Sequence, residues 1–171
     1  MTYSTNPPET PSTRWKLHVD GASNQMFGGA GIILESPIRV VYEQSVKFEF
    51  PVSNNQAEYE AFLGGLLLAR EVEATRVEVC SDSQVITLHI NGTYQARDSL
   101  LQKYLEKVKK LSEEFDEVMV QHVPRERNTR ANILSKLAST KPGTGNRSLI
   151  QGLVKESTVT LHITRAADFP S

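Results

Sequence analysis

Trp15-Lys16-Leu17-His18-Val19-Asp20-Gly21-Ala22-Ser23 is the stretch whose reading decides the fold. Trp15, Leu17 and Val19 alternate with Lys16, His18 and Asp20, the period of a strand with one buried face. Gly21 lets the backbone turn tightly, so the strand is expected to end there. Asp20 then stands at the last position of a central strand, where α/β sheets gather their functional groups. A carboxylate in such a place calls for a cation, a hydrogen-bond donor or a proton. Two further acids, Glu58 and Asp82, occupy comparable element ends, and a fourth such place holds an amide, Asn132.

Working outward, short turns separate three strands over 14–21, 30–34 and 39–50, with Gly28-Gly29 and Ser36-Pro37 read as turns. Strands joined this way form an antiparallel meander. Residues 54–71 are helical, because Ala57, Ala61, Phe62, Leu66 and Ala69 recur at helical spacing. Gly64-Gly65 permits that helix to lie close on the sheet, at some cost in propensity. A fourth strand covers 76–80 and a helix 83–90, which Asn91-Gly92 breaks. A helix over 98–115 carries Leu100, Leu101, Leu105, Val108 and Leu111 on its apolar side. A fifth strand covers 118–123, and a last helix 131–138 follows a loop. The order implies an α/β fold: a five-stranded mixed sheet, three antiparallel strands then two parallel, with helices on both faces.

The chain of 171 residues is most simply one domain with tails. Residues 1–13, with Pro7, Pro8 and Pro11, read as a flexible lead-in, 14–140 as the domain, and 141–171 as a linker-like tail opening on Pro142-Gly143-Thr144-Gly145-Asn146. Thr158 to Thr164 has the composition of a short extra strand. A hydrophobic fraction of 39% supplies a core, and a net charge of −1 gives no global attraction to nucleic acid. The single Cys80 excludes an internal disulfide and fits a reducing, intracellular compartment, cytoplasmic or nuclear. No run approaches the roughly 20 apolar residues of a membrane span.

Asp20, Glu58 and Asp82 come from three separated segments and are placed to converge at one edge of the sheet. Like charges brought together are unfavourable unless a cation joins them, and hard oxygen ligands suit Mg²⁺ or Mn²⁺. Each acid also has a purely local reading. Asn55-x-x-Glu58 resembles a capping box, Asp82-Ser83 an N-cap, and Asp20-Gly21 a turn. The conjunction at strand ends favours the site.

Val19-Asp20-Gly21-Ala22-Ser23, Asn54-Asn55-Gln56-Ala57-Glu58-Tyr59-Glu60-Ala61 and Ser81-Asp82-Ser83-Gln84 resemble the three leading motifs of type 1 ribonuclease H. His122-Val123-Pro124-Arg125-Glu126-Arg127-Asn128, followed by Ala131-Asn132-Ile133-Leu134-Ser135-Lys136-Leu137-Ala138, resembles the fourth. The match covers roughly residues 14–140 in the right order, and its wording is most similar to ribonuclease H domains of plant Ty3/gypsy-type retrotransposon polyproteins. The resemblance implies a ribonuclease H-like fold and divalent-metal-dependent endonucleolytic hydrolysis of the RNA strand of RNA–DNA hybrids. It implies two Mg²⁺ ions, or Mn²⁺, on Asp20, Glu58, Asp82 and the position of Asn132. One ion would activate a water and the other stabilise the leaving oxygen. It also implies that Asn55 and Gln84 reach the RNA strand, and Ser53 and Asn24 the DNA phosphates. A neighbouring reverse transcriptase domain is the implied partner.

The sequence departs from that pattern twice. The fourth carboxylate is Asn132, which lowers the formal charge of the site from four to three and is expected to impair cleavage. A catalytically inactive hybrid-binding module of a retroelement polyprotein is the alternative. The loop that often holds a His has Arg125, Glu126 and Arg127 instead, and His122 falls on a strand. From 121 to 147, Arg125, Arg127, Arg130, Lys136, Lys141 and Arg147 face one acid, Glu126. This is the local basic patch expected to neutralise phosphates in a salt-dependent way.

Overall fold

The computed structural model describes residues 13–25, 27–92, 98–140 and 152–154. β1 (Arg14–Ser23), β2 (Gly28–Glu35) and β3 (Val41–Phe48) form the antiparallel meander. α1 (Asn54–Glu71) leads to β4 (Arg76–Ser81), α2 (Gln84–Ile90), α3 (Ser99–Ser112) and β5 (Glu117–His122). α4 (Thr129–Thr140) follows a 3₁₀ turn at Arg125–Arg127, and a three-residue strand β6 (Gly152–Val154) pairs parallel with β3. The sheet order is β5-β4-β1-β2-β3-β6. The five expected strands form, and β6 adds a short sixth at the β3 edge. The candidate strand at 158–164, the lead-in and the remainder of the tail lie outside the described residues.

Alternation on β1 sends Leu17 and Val19 to the α1 face, where both are buried. A Cβ on Gly65 of α1 would lie 2.7 Å from the Leu17 side chain, so the glycine is what lets the helix seat on the strand. On β2, Ala30, Ile32 and Leu34 are buried within that same core. Gly29 and Gly31 face the other way, against α4, where a Cβ would lie 2.5 Å from Ser135 O and 2.0 Å from Ala131 O respectively. β2 is therefore covered on both faces. That explains why Gly28-Gly29, read as a turn, belongs to a strand: a doubly covered strand loses the alternating signal.

α3 differs from its sequence reading in phase. Tyr104 is fully buried and stacks on Tyr59 with ring centroids 5.6 Å apart, whereas Leu100 is exposed. The aromatic ring replaces the leucine in the seam because its hydroxyl finds polar partners there, accepting from Gln56 Nε2 at 2.9 Å and donating to Glu60 Oε2 at 2.5 Å.

Candidate metal centre

β1 does not end at Gly21. It pairs with β2 through Ser23↔Gly28, while its parallel ladder with β4 stops at Val19↔Ser81. Asp20 and Asp82 are thus the next residues along two adjacent parallel strands, just past the point where the ladder ends. Side chains at such a fork lie at the carboxyl ends of the strands, where open α/β sheets bind ligands. Glu58 arrives from α1. A Cβ on Gly21 would stand 2.2 Å from the Ala57 carbonyl carbon and 2.4 Å from Glu58 N. Only a glycine there admits the helix, and the Gly21 amide donates to Glu58 Oε1 at 2.7 Å.

These contacts dispose of the three local readings. Ser53, not Asn55, caps α1, accepting from Gln56 N at 3.1 Å. Ser83, not Asp82, caps α2, accepting from Ile86 N at 3.3 Å. Asp20 sits within a strand, not a turn. The three carboxylates are left without a local structural task, and one ligand oxygen from each lies within 4.8 Å of the others.

Burial and mutual repulsion act on the trio. Desolvation, opposed by the Ser135 hydrogen bond and reinforced by the Asp82 charge, raises the Asp20 pKa to about 6. Desolvation and then the Asp20 charge push Glu58 up to about 8, although the Gly21 N–H opposes the shift. A divalent ion would reverse the balance, because a cation among carboxylates favours their charged forms. The donor set, three hard oxygens from carboxylates, fits Mg²⁺ or Mn²⁺.

Asn132 stands at the rim of this group. Its Nδ2 donates to Asp82 Oδ2 at 2.8 Å and to Asn128 O at 2.8 Å. Both partners are acceptors, which fixes the nitrogen toward them. A fourth carboxylate would accept at this point, whereas the amide donates and occupies an oxygen of Asp82. Arg125, on the 3₁₀ turn, places Nε 3.9 Å from that same oxygen and keeps an exposed side chain.

The structure brings Asp20, Glu58, Asp82, Asn132 and Arg125 together. Ser53, Gln84 and Arg127 are exposed and Asn55 half-buried. Asn24 closes the β1–β2 turn, its Oδ1 accepting from Phe27 N and its Nδ2 donating to Ser139 O at 2.7 Å. Arg130, grouped in the sequence with its basic neighbours, is held by Glu43 of β3 through two contacts of 2.9 and 2.8 Å. Two residues escaped the sequence reading. Ser135, fully buried, donates its hydroxyl to Asp20 Oδ2. Asn128, also buried, donates Nδ2 to Val19 O at 2.9 Å and so ties the strand before Asp20 to the start of α4. The spacing Asn132/Ser135 is i, i+3 on one helix face, a signal that was there to be read.

A family model described as reverse transcriptase-like matches residues 18–138. Ribonuclease HI of Halobacterium salinarum is 33% identical over 127 residues, 73% of this chain and 64% of its own length. A bifunctional protein of Mycobacterium tuberculosis is 28% identical over 122 residues, 70% of this chain and 34% of its own. The chain thus spans less than two thirds of either relative. Among solved structures, RNase H1 of Halobacterium salinarum superposes with a TM-score of 0.70 at 29% identity, covering 73% of this chain and 96% of that one. LC11-RNase H1 in complex with an RNA/DNA hybrid superposes with a TM-score of 0.67 at 25% identity, covering 73% and 96%.

Proposed function

The chain belongs to the reverse transcriptase-like ribonuclease H family, and from that premise we propose that it recognises RNA–DNA hybrids and hydrolyses their RNA strand with divalent metal ions. The convergence of Asp20, Glu58 and Asp82 within 4.8 Å carries the reading. Mg²⁺ or Mn²⁺, held by these three, would supply activation of a water and stabilisation of the leaving oxygen. The chain's own residues do the rest. The Gly21 N–H orients the Glu58 carboxylate, and Arg125 and Arg127 offer cations to the phosphates of the substrate. Gln84 and Asn55, at the starts of α2 and α1, are available to hydrogen-bond the 2′-hydroxyls that separate RNA from DNA.

Asn132 weakens this machinery. Its amide adds no charge and donates to Asp82 Oδ2, so the site holds an ion less firmly than a four-carboxylate site. That same contact favours a second reading, a hybrid-binding module that does not cut. The motif wording points to a retrotransposon polyprotein, with a neighbouring reverse transcriptase domain as the natural partner.

Cleavage of an end-labelled hybrid with Mg²⁺ or Mn²⁺, for the chain as it stands and for Asn132→Asp, tests the reading. Asn132→Asp is expected to raise the rate on the order of 100-fold, about 3 kcal/mol of barrier. No cleavage by either form, with hybrid binding retained, would establish the binding module instead.

A further inference from the structure

Ser135 lies in the second turn of α4 with no exposed surface, and its hydroxyl meets Asp20, 115 residues earlier in the chain. A helical serine ordinarily donates to a carbonyl three or four residues back, and such an acceptor is present, Asn132 O at 3.0 Å. The hydroxyl has one proton to give. Asp20 Oδ2 is the nearer acceptor and the one able to carry charge, so the proton goes there.

The backbone is shaped for this approach. Gly31 is the register partner of Asp20. A Cβ there would sit 2.8 Å from Ser135 N, and one on Gly29 would sit 2.5 Å from Ser135 O. Two glycines on β2 therefore let α4 lie low enough for its serine to reach the neighbouring strand. From β3, the Ser45 hydroxyl donates to Leu134 O at 2.8 Å, which fixes the helix at the residue before Ser135.

We propose that Ser135 is a positioning residue of the ion site: its hydroxyl holds one oxygen of the buried Asp20 carboxylate and fixes its plane, so that the other is offered to the divalent ion. The proposal rests on the reading of the acidic trio as a metal centre. Carboxylate ligands are themselves commonly oriented by such hydrogen bonds, whose loss weakens ion binding about 10- to 100-fold.

The test is Mn²⁺ titration of the full chain, followed by loss of the free-ion paramagnetic resonance signal, for the wild type, Ser135→Ala and Ser135→Cys. Ser135→Ala should bind Mn²⁺ about 10-fold more weakly, with an unchanged circular dichroism spectrum. Ser135→Cys, which keeps a weaker donor of similar size, should fall between the two. A serine that merely packs would change the melting temperature and leave ion affinity alone. Ser135→Ala binding within about twofold of wild type overturns the proposal while sparing the metal reading. Should Ser135→Ala fail to fold, Ser135→Cys matching the wild type overturns it equally. Wild-type protein that binds neither Mn²⁺ nor Mg²⁺ would remove the metal reading and this proposal with it.

Discussion

Glu58 and Glu60 stand two residues apart on α1 and live in opposite electrostatic worlds. Glu60 is buried against α3, where the Tyr104 hydroxyl donates to it and Gln56 in turn donates to that hydroxyl. The network gives an acid in the core a polar partner. Glu58 receives the Gly21 amide but is desolvated by burial and faces Asp20 and Asp82, and its pKa rises to about 8. One carboxylate is satisfied by the fold; the other is held in an arrangement that the fold alone leaves unfavourable. Concentrated, under-compensated charge of the second kind is what a functional site looks like, because the missing partner comes from outside.

The contrast breaks most visibly under substitution. In an Asn132→Asp background, Glu58→Gln should lower hybrid cleavage by at least about 100-fold, whereas Tyr104→Phe should leave cleavage rates of the folded protein within about twofold. Equal losses from both would erase the distinction. Next in size is the seating of α4. Gly31→Ala places a Cβ 2.0 Å from Ala131 O, and should cost about 1–3 kcal/mol of stability in chemical denaturation. Tyr104→Phe, which removes the hydroxyl shared by Glu60 and Gln56, should cost about 1–2 kcal/mol. A neutral result would show that the Glu60 network is dispensable.

The pH response sharpens the same comparison. Asp20 and Glu58 hold protons more tightly when folded than when unfolded, since both pKa values are raised, to about 6 and about 8. The folded state therefore binds more protons between the ordinary carboxylate range and about pH 8, and ion-free stability falls as pH rises through that window. Saturating Mg²⁺ should flatten the fall, and Glu58→Gln should remove its upper part. Melting temperatures from pH 5 to 9, with and without the ion, read this directly. The smallest effect concerns the surface. Replacing Arg125 and Arg127 with Ala should reduce the salt slope of hybrid binding by about two. Arg130→Ala, which breaks an exposed pair with Glu43, should leave the slope unchanged and cost less than about 1 kcal/mol.

Much of this was legible in the chain itself. The alternation of Trp15 to Asp20 placed the central strand, and the helical spacing of Ala57 to Ala69 placed α1, because both elements bury one clear face. Asp20, Glu58 and Asp82 were found because each was read at a strand end or in the first turn of a helix, where periodicity gives way to chemistry; β1 in fact runs on to Ser23. Gly28-Gly29 was misread because its purpose is tertiary: Gly28 makes room for Val52, and Gly29 admits α4, a helix about 100 residues later. The burial of Tyr104 was missed because a ring with a polar tip outranks a leucine only once its partners are in place. Arg130 was grouped with its basic neighbours because charge counts along a chain cannot see Glu43 across the sheet. Ser135 and Asn128 escaped for a similar reason, since their partners on β1 lie more than 100 residues away.

The most direct test of the account is a calorimetric titration of Mg²⁺ or Mn²⁺ into the wild-type chain and Glu58→Gln at pH 6 and pH 9. The account predicts binding to the wild type that is tighter at pH 9, with protons released near neutral pH as the ion displaces them from Asp20 and Glu58, and binding abolished by Glu58→Gln. Affinity independent of pH with no proton release, or an ion bound equally well by Glu58→Gln, would contradict it.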